Sequence, residues 1–137
     1  MTALIDTCII VDALQSRESF CHDAQNIFLL CANNAFEGFI TAKAVTDIYY
    51  LVHRQTHSDP ATRDILLKLF SLFGLLDTSA PDIRNAIPSE LSDYEDAVMT
   101  ETALRSGMKC IVTRNVKDYR KSPVPVYTPA EFIELLT

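Results

Sequence analysis

The chain has 137 residues, of which 48% are hydrophobic and 22% are charged, and its formal net charge is −6 at pH 7. This length suits one domain with a real hydrophobic core, and the composition is typical of a soluble globular protein. The acidic balance argues against a passive nucleic-acid-binding protein, which usually carries a basic face. No basic leader and no apolar run of membrane-spanning length is visible, so we expect a cytoplasmic protein that does not bind membranes.

Four cysteines are present, Cys8, Cys21, Cys31 and Cys110, and no pair has the C-x-x-C spacing. Most lie in apolar surroundings, which indicates reduced, buried thiols in a cytosolic protein. The three histidines form no ligand pattern with these cysteines, so a zinc site is excluded.

Short apolar runs alternate with helical patterns along the whole chain. Strands are predicted at residues 3–5, 38–40, 75–76, 110–113 and 124–127. Helical periodicity predicts helices over 9–14, 20–31, 41–52, 60–73, 81–87 and 93–107, with a last helix from 129. In chain order, this alternation is typical of an α/β protein. We therefore predict a single domain over 1–137, with a three-layer α/β/α fold around a central, mostly parallel sheet.

Several helix ends carry recognisable signals. Ser92 with Glu95, and Thr128 with Glu131, have the spacing of a capping box, which predicts helices that begin at Asp93 and at the following proline. Gly74 is predicted to end the helix before it. In the first helix, Asp12 is expected to face solvent.

Acidic or amide side chains follow or flank three of the predicted buried segments. Asp6 follows the first strand, Asp93 and Asp96 open a helix, and Asn115 and Asp118 follow the strand at 110–113. The carboxyl ends of parallel strands line one crevice, so these groups can converge there. Helix capping and the helix dipole explain each acid separately equally well. Their recurrence predicts a site for a divalent cation, because converging carboxylates otherwise repel one another.

Hard oxygen ligands without His or Cys favour magnesium or manganese over zinc. A magnesium ion held by carboxylates can activate water towards a phosphodiester. Six of the twelve basic residues lie between 105 and 121 with only one acid among them, which forms a basic strip that can meet phosphates. A solvated helix end explains this strip equally well. Within and beside it, the predicted RNA contacts are Thr7, Thr113, Arg114 and Lys117.

Three segments resemble the motifs of the PIN-domain family. Residues 4–12 (LIDTCIIVD) resemble its opening motif, residues 92–98 (SDYEDAV) its third acidic motif, and residues 111–119 (IVTRNVKDY) its fourth. Their order and spacing match over nearly the whole chain. The resemblance implies a parallel sheet flanked by helices and a magnesium- or manganese-dependent ribonuclease. Small members are often the toxin of a toxin–antitoxin pair of the VapC kind, commonly dimeric and neutralised by an antitoxin protein.

By this resemblance Asp6, Asp47 and Asp96 are the first, second and third acids, and we take them as the catalytic acids. The sequence departs from the family at two positions: the second acid is Asp47 where Glu is usual, and Asn115 stands where Asp is frequent. Asp118 or Asp93 is then expected to complete the set. The expected metal ligands are therefore Asp6, Asp47, Asp93, Asp96, Asn115 and Asp118.

Two other hypotheses stay open at this stage. The departure at Asn115 also suits a non-catalytic PIN-like module that binds RNA or a protein. A strand-end Asp with magnesium also suits a phosphoacceptor domain, provided that Lys109 or Lys117 holds the phosphoryl group.

Overall fold

A computed structural model describes all residues, 1–137, and forms five strands and seven α-helices. The strands are β1 (Thr2–Ile5), β2 (Glu37–Thr41), β3 (Gly74–Leu76), β4 (Cys110–Val112) and β5 (Val126–Tyr127). The helices are α1 (Thr7–Leu14), α2 (Cys21–Ala32), α3 (Ala42–Thr56), α4 (Asp59–Leu72), α5 (Ala80–Asn85), α6 (Tyr94–Arg105) and α7 (Pro129–Leu136), with a 3₁₀ helix at Val116–Tyr119. None of them combines the length and the hydropathy that a membrane crossing requires.

The five strands form one sheet in the order β3-β2-β1-β4-β5, and every neighbouring pair is parallel. The chain moves from β1 outward to β2 and β3, and then returns to the other side of β1 with β4. The strand order therefore reverses between β1 and β4. In open α/β sheets, ligands bind in the crevice at the carboxyl ends of the strands at such a switch point.

Both faces of the sheet are covered, which confirms the predicted three-layer α/β/α fold. On one face, Leu4 of β1 and Ile111 of β4 pack with Met99 and Ala103 of α6. On the other, alternate strand residues such as Ile5 belong to the large core formed with α1, α2, α3, α4 and α7. Because neighbouring strand residues face opposite sides, the central strands are apolar throughout, as the sequence indicates.

Two of the predicted helix-end signals differ in the structure. The cap of α6 is Asp93, whose Oδ1 accepts a hydrogen bond from the backbone N–H of Asp96 at 3.0 Å, so the predicted Ser92 cap is wrong. α4 ends just before Gly74, with Phe73 as its cap, and Gly74 pairs in β3 instead of adopting the left-handed conformation of a glycine cap. The predicted capping box of Thr128 and Glu131 is confirmed at the start of α7.

Gly38 illustrates how closely the sheet and helices approach. A Cβ atom at this position would lie 2.7 Å from Cδ1 of Phe73 and 3.0 Å from Sγ of Cys31. Both of these side chains are buried, so neither has room to move away. The small residue is needed here for space.

We expect Gly38→Ala to lower the free energy of unfolding by about 1–3 kcal/mol, because the added methyl overpacks the core. Urea denaturation measures this loss. Combining it with Phe73→Leu should cost less than the sum of the two single losses, because the smaller side chain frees space for the methyl. Strict additivity would contradict this steric explanation.

Candidate active site

The ends of β1 and β4 are joined at the switch point by two hydrogen bonds. The backbone N–H of Asp6 donates to the carbonyl of Val112 at 3.0 Å, which continues the strand pairing by one residue. One residue further, the hydroxyl of Thr113 donates to Oδ2 of Asp6 at 2.7 Å. Thr113 is fully buried, so this hydrogen bond fixes the orientation of the Asp6 carboxylate at the carboxyl end of β1.

Asp96 reaches the same crevice from the first turn of α6. Its Oδ1 accepts a hydrogen bond from the hydroxyl of Tyr119 at 3.0 Å, whereas its Oδ2 accepts none. Tyr119 ends the 3₁₀ helix and is only 2% exposed. Sequence reasoning missed this residue, because no local pattern indicates that its hydroxyl meets an acid 23 residues earlier.

The acids of the crevice influence one another through their charges. The pKa of Asp96 is raised to about 6, chiefly by burial; the charges of Asp6, Asp93 and Asp118 contribute to this rise, and the Tyr119 hydrogen bond opposes it. Burial also raises the pKa of Asp6, although the Thr113 hydrogen bond opposes this. A positive charge placed between Asp6 and Asp96 would relieve both effects.

A thiol adjoins the carboxylate of Asp6. Sγ of Cys8 lies 3.6 Å from Oδ2 of Asp6 and 3.9 Å from Oγ1 of Thr113. Burial and the charge of Asp6 raise the pKa of this thiol to about 11, so it stays protonated at neutral pH. All four cysteines are unpaired; Cys31 and Cys110 are buried as predicted, whereas Cys8 and Cys21 are only partly so.

The donor chemistry of the crevice suits a small hard cation. No group of three or more His, Cys, Asp or Glu side chains is placed to hold a metal ion by itself. Two carboxylates, Asp6 and Asp96, nevertheless match the usual protein share of a magnesium site, in which waters and substrate phosphates complete the coordination. The absence of His from the crevice disfavours zinc.

The four other predicted ligands are exposed or partly exposed. Asp93 and Asn115 are exposed and Asp118 is partly exposed, and the two acids lie close enough to influence Asp96. Asp47 is exposed on α3, and its side chain makes no hydrogen bond or ion pair. Metal binding by these four residues stays a prediction.

Asp12 is fully buried, so the expectation that it faces solvent is wrong. Its carboxylate accepts hydrogen bonds from Nε of Arg114 at 2.6 Å and Nη2 at 3.3 Å, and it lies 3.7 Å from Arg17. The guanidinium of Arg114 also covers the ring of Phe20, 4.1 Å from its centroid. A signal was available, because α1 is apolar on nearly all sides and such a helix is buried all round.

Half of the predicted basic strip is paired in the fold. Arg105 binds Asp82, Arg114 binds Asp12 and Lys121 binds Glu90. Lys109 lies at the amino end of β4, away from the crevice, where its backbone N–H donates to the carbonyl of Thr2. Lys117 and Arg120 are the members that remain exposed without an ion pair near the end of β4.

We expect Asp96→Asn to raise the melting temperature of the metal-free protein at pH 7, because an amide removes a disfavoured charge. The folded pKa of about 6 exceeds the ordinary value of 3.8, so the stability of the wild type falls as pH rises between these values. The gain in melting temperature should be complete above about pH 6 and absent below pH 3.8.

Thermal unfolding in EDTA across that pH range measures the effect. Asp64→Asn is the matched control, because Asp64 is exposed and pairs only with Lys68. An Asp96→Asn protein that is no more stable than the wild type at pH 7 would contradict this account of the site.

We expect Asp12→Asn to lower the free energy of unfolding by about 3 kcal/mol, because it leaves the partly buried Arg114 without its counter-charge. Urea denaturation measures the loss. Asp64→Asn again serves as the control and should cost less than about 0.5 kcal/mol, as exposed pairs do. Equal losses of unfolding free energy in the two variants would show that the buried pair stabilises the fold no more than the exposed pair does.

Comparison with known proteins identifies the family and the fold. Three similar structures are VapBC2 from Rickettsia felis bound to a promoter DNA fragment, a toxin–antitoxin complex from Klebsiella pneumoniae, and Mycobacterium tuberculosis VapC20, described as a Sarcin-Ricin loop cleaving toxin. Their TM-scores are 0.64, 0.65 and 0.60, and their sequence identities are 20%, 26% and 12%.

The alignments cover 93%, 93% and 80% of this chain and 98%, 97% and 86% of the other chain, in the same order. No curated protein matches the sequence. The family model described as PIN domain matches residues 2–117, which include Asp6, Asp96 and the end of β4. The chain therefore belongs to the PIN domain family.

Proposed function

We propose that this protein is a magnesium- or manganese-dependent endoribonuclease and the toxin of a toxin–antitoxin pair. The observation that carries the proposal is the meeting of two partly buried carboxylates, Asp6 and Asp96, at the switch point of a parallel sheet. The repulsion between these two carboxylates destabilises the metal-free fold. Such a cost is characteristic of sites whose charge is matched by a bound group.

In this proposal Asp6 and Asp96 hold the cation, and Thr113 and Tyr119 orient the two carboxylates by hydrogen bonds. When bound, a divalent cation neutralises charge on the scissile phosphate and makes water a stronger nucleophile. Oδ2 of Asp96 accepts no hydrogen bond from the protein and is available as a ligand. The further ligands that we propose are Asp47, Asp93, Asn115 and Asp118.

RNA contact is proposed at the exposed rim of the crevice. Lys117 is exposed and free of ion pairs, so its ammonium group can meet a phosphate without first breaking a contact. Thr7 begins α1 next to Asp6 and offers a hydroxyl. Thr113 and Arg114 are also proposed contacts, but their polar groups already bind Asp6 and Asp12, so we expect a smaller share from them.

The proposed partners follow from the similar structures. The Klebsiella pneumoniae protein belongs to a toxin–antitoxin complex, and VapC20 is described as cleaving the Sarcin-Ricin loop. We extend both properties to this chain, as a cognate antitoxin protein and an RNA substrate. We also propose a homodimeric state, from its membership of the PIN domain family. We also place the protein in the cytoplasm, where its four unpaired cysteines stay reduced.

Cleavage of a mixed RNA substrate tests the proposal. We expect cleavage with manganese or magnesium and none with EDTA, because the carboxylates need the cation to act on a phosphate. Asp6→Asn and Asp96→Asn should each lower the rate by at least about 100-fold, while Asp64→Asn should cleave as the wild type does. Gel electrophoresis of end-labelled RNA measures the rates. Asp47→Asn in the same series tests the proposed second acid.

A non-catalytic PIN-like module is the second candidate. Asn115 and the lack of a third acid in the immediate group favour it. A folded wild type that binds RNA in EDTA and cleaves none in manganese would support this module and reject the nuclease. The phosphoacceptor alternative loses one of its two candidate lysines, since Lys109 lies at the amino end of β4, opposite the crevice.

A further inference from the structure

The hydroxyl of Tyr119 has no role in packing. The ring is buried among Leu4, Met99, Ile111 and Val124, where a phenylalanine ring would fill the same space. The hydroxyl itself contacts two groups: it donates to Oδ1 of Asp96 at 3.0 Å, and it lies 3.4 Å from Sδ of Met99. The carboxylate is much the stronger acceptor of the two.

The ring and its backbone are held firmly, so the hydroxyl is a fixed donor. The 3₁₀ helix is closed by a backbone hydrogen bond from Asp118 to Asn115 at 2.9 Å, and the carbonyl of Tyr119 accepts one from Ser122 at 2.9 Å. The cluster around the ring includes Leu4 of β1 and Ile111 of β4, the two strands that flank the switch point. The hydroxyl thus ties Asp96, on α6, to the same strands that carry Asp6.

We propose that Tyr119 is a positioning residue, which fixes the rotamer of Asp96 so that Oδ2 is directed to the divalent cation of the proposed nuclease. This inference rests on the proposed function. A carboxylate in the first turn of a helix otherwise turns freely about two side-chain bonds, and ordering it on binding costs affinity. A hydrogen bond to Oδ1 of Asp96 fixes the position of Oδ2 before the cation binds. Partners of this kind typically change metal affinity or activity by 10–100-fold.

Tyr119→Phe removes the hydroxyl and leaves the ring. We expect its dissociation constant for Mn²⁺ to rise by about tenfold, measured by isothermal titration calorimetry with no RNA present. RNA cleavage should fall at low Mn²⁺ and recover at saturating Mn²⁺. A merely structural role would not be rescued by metal. Circular dichroism establishes that both proteins are folded at the temperature of the titration.

Tyr127→Phe is the matched control. Tyr127 lies in β5 and its carbonyl accepts a hydrogen bond from the backbone of Thr113, but its hydroxyl makes none. This variant should bind Mn²⁺ and cleave RNA as the wild type does. A loss of affinity in Tyr119→Phe that is no greater than in the control, or a loss of cleavage that excess Mn²⁺ does not restore, would overturn the role of Tyr119.

The outcomes distinguish a failure of the positioning role of Tyr119 from a failure of the proposed nuclease. A wild type that binds Mn²⁺ and cleaves RNA, together with a Tyr119→Phe protein of unchanged affinity, would reject the positioning role and leave the nuclease intact. A folded wild type that neither binds Mn²⁺ nor cleaves RNA would reject both.

Discussion

The hydrogen bond from Thr113 to Asp6 is the contact on which the candidate site depends. It joins the residues that follow β1 and β4, two strands that are more than a hundred residues apart in the chain and adjacent in the sheet. Because the strand order reverses between them, no crossover helix fills the space above this point, and a crevice opens there. The same bond orients the Asp6 carboxylate at the carboxyl end of β1.

Placing acids in such a crevice destabilises the metal-free fold, and other contacts offset the cost. Burial raises the pKa of both Asp6 and Asp96, and the charge of Asp6 adds to the rise at Asp96, so the site favours protons or cations. Behind it, the buried pair of Asp12 and Arg114 links α1 to the segment that follows β4. This pair anchors the two segments whose ends carry the site, and the stacking of Arg114 on Phe20 extends the anchor to the loop before α2. Stability and site geometry are therefore coupled.

Much of the fold was predictable from local pattern. The alternation of apolar runs and helical periodicity predicted five strands, the parallel sheet and its two helical layers, because each signal depends on neighbours along the chain. The capping box at Thr128 was predicted for the same reason. The wrong predictions concern long-range contacts. Asp12 was expected to face solvent, but it is buried in an ion pair with Arg114. Arg114 was expected to be a cation available to RNA, and this pair occupies it. Gly74 was predicted to cap α4, but it pairs with Phe39 in the sheet, and Phe73 is the cap.

The sequence by itself determined the family and the order of elements, and it pointed to Asp6 and Asp96 as candidate site acids, since motif order and strand-end position are properties of the chain. Only the tertiary structure decided which groups surround these acids. Thr113 meets Asp6 and Tyr119 meets Asp96 because β1, β4 and α6 pack together, and that packing is a sum of many buried contacts with no local signature. Electrostatic coupling falls with distance in space and not along the chain, so pKa values and orienting hydrogen bonds appear only once the chain is folded.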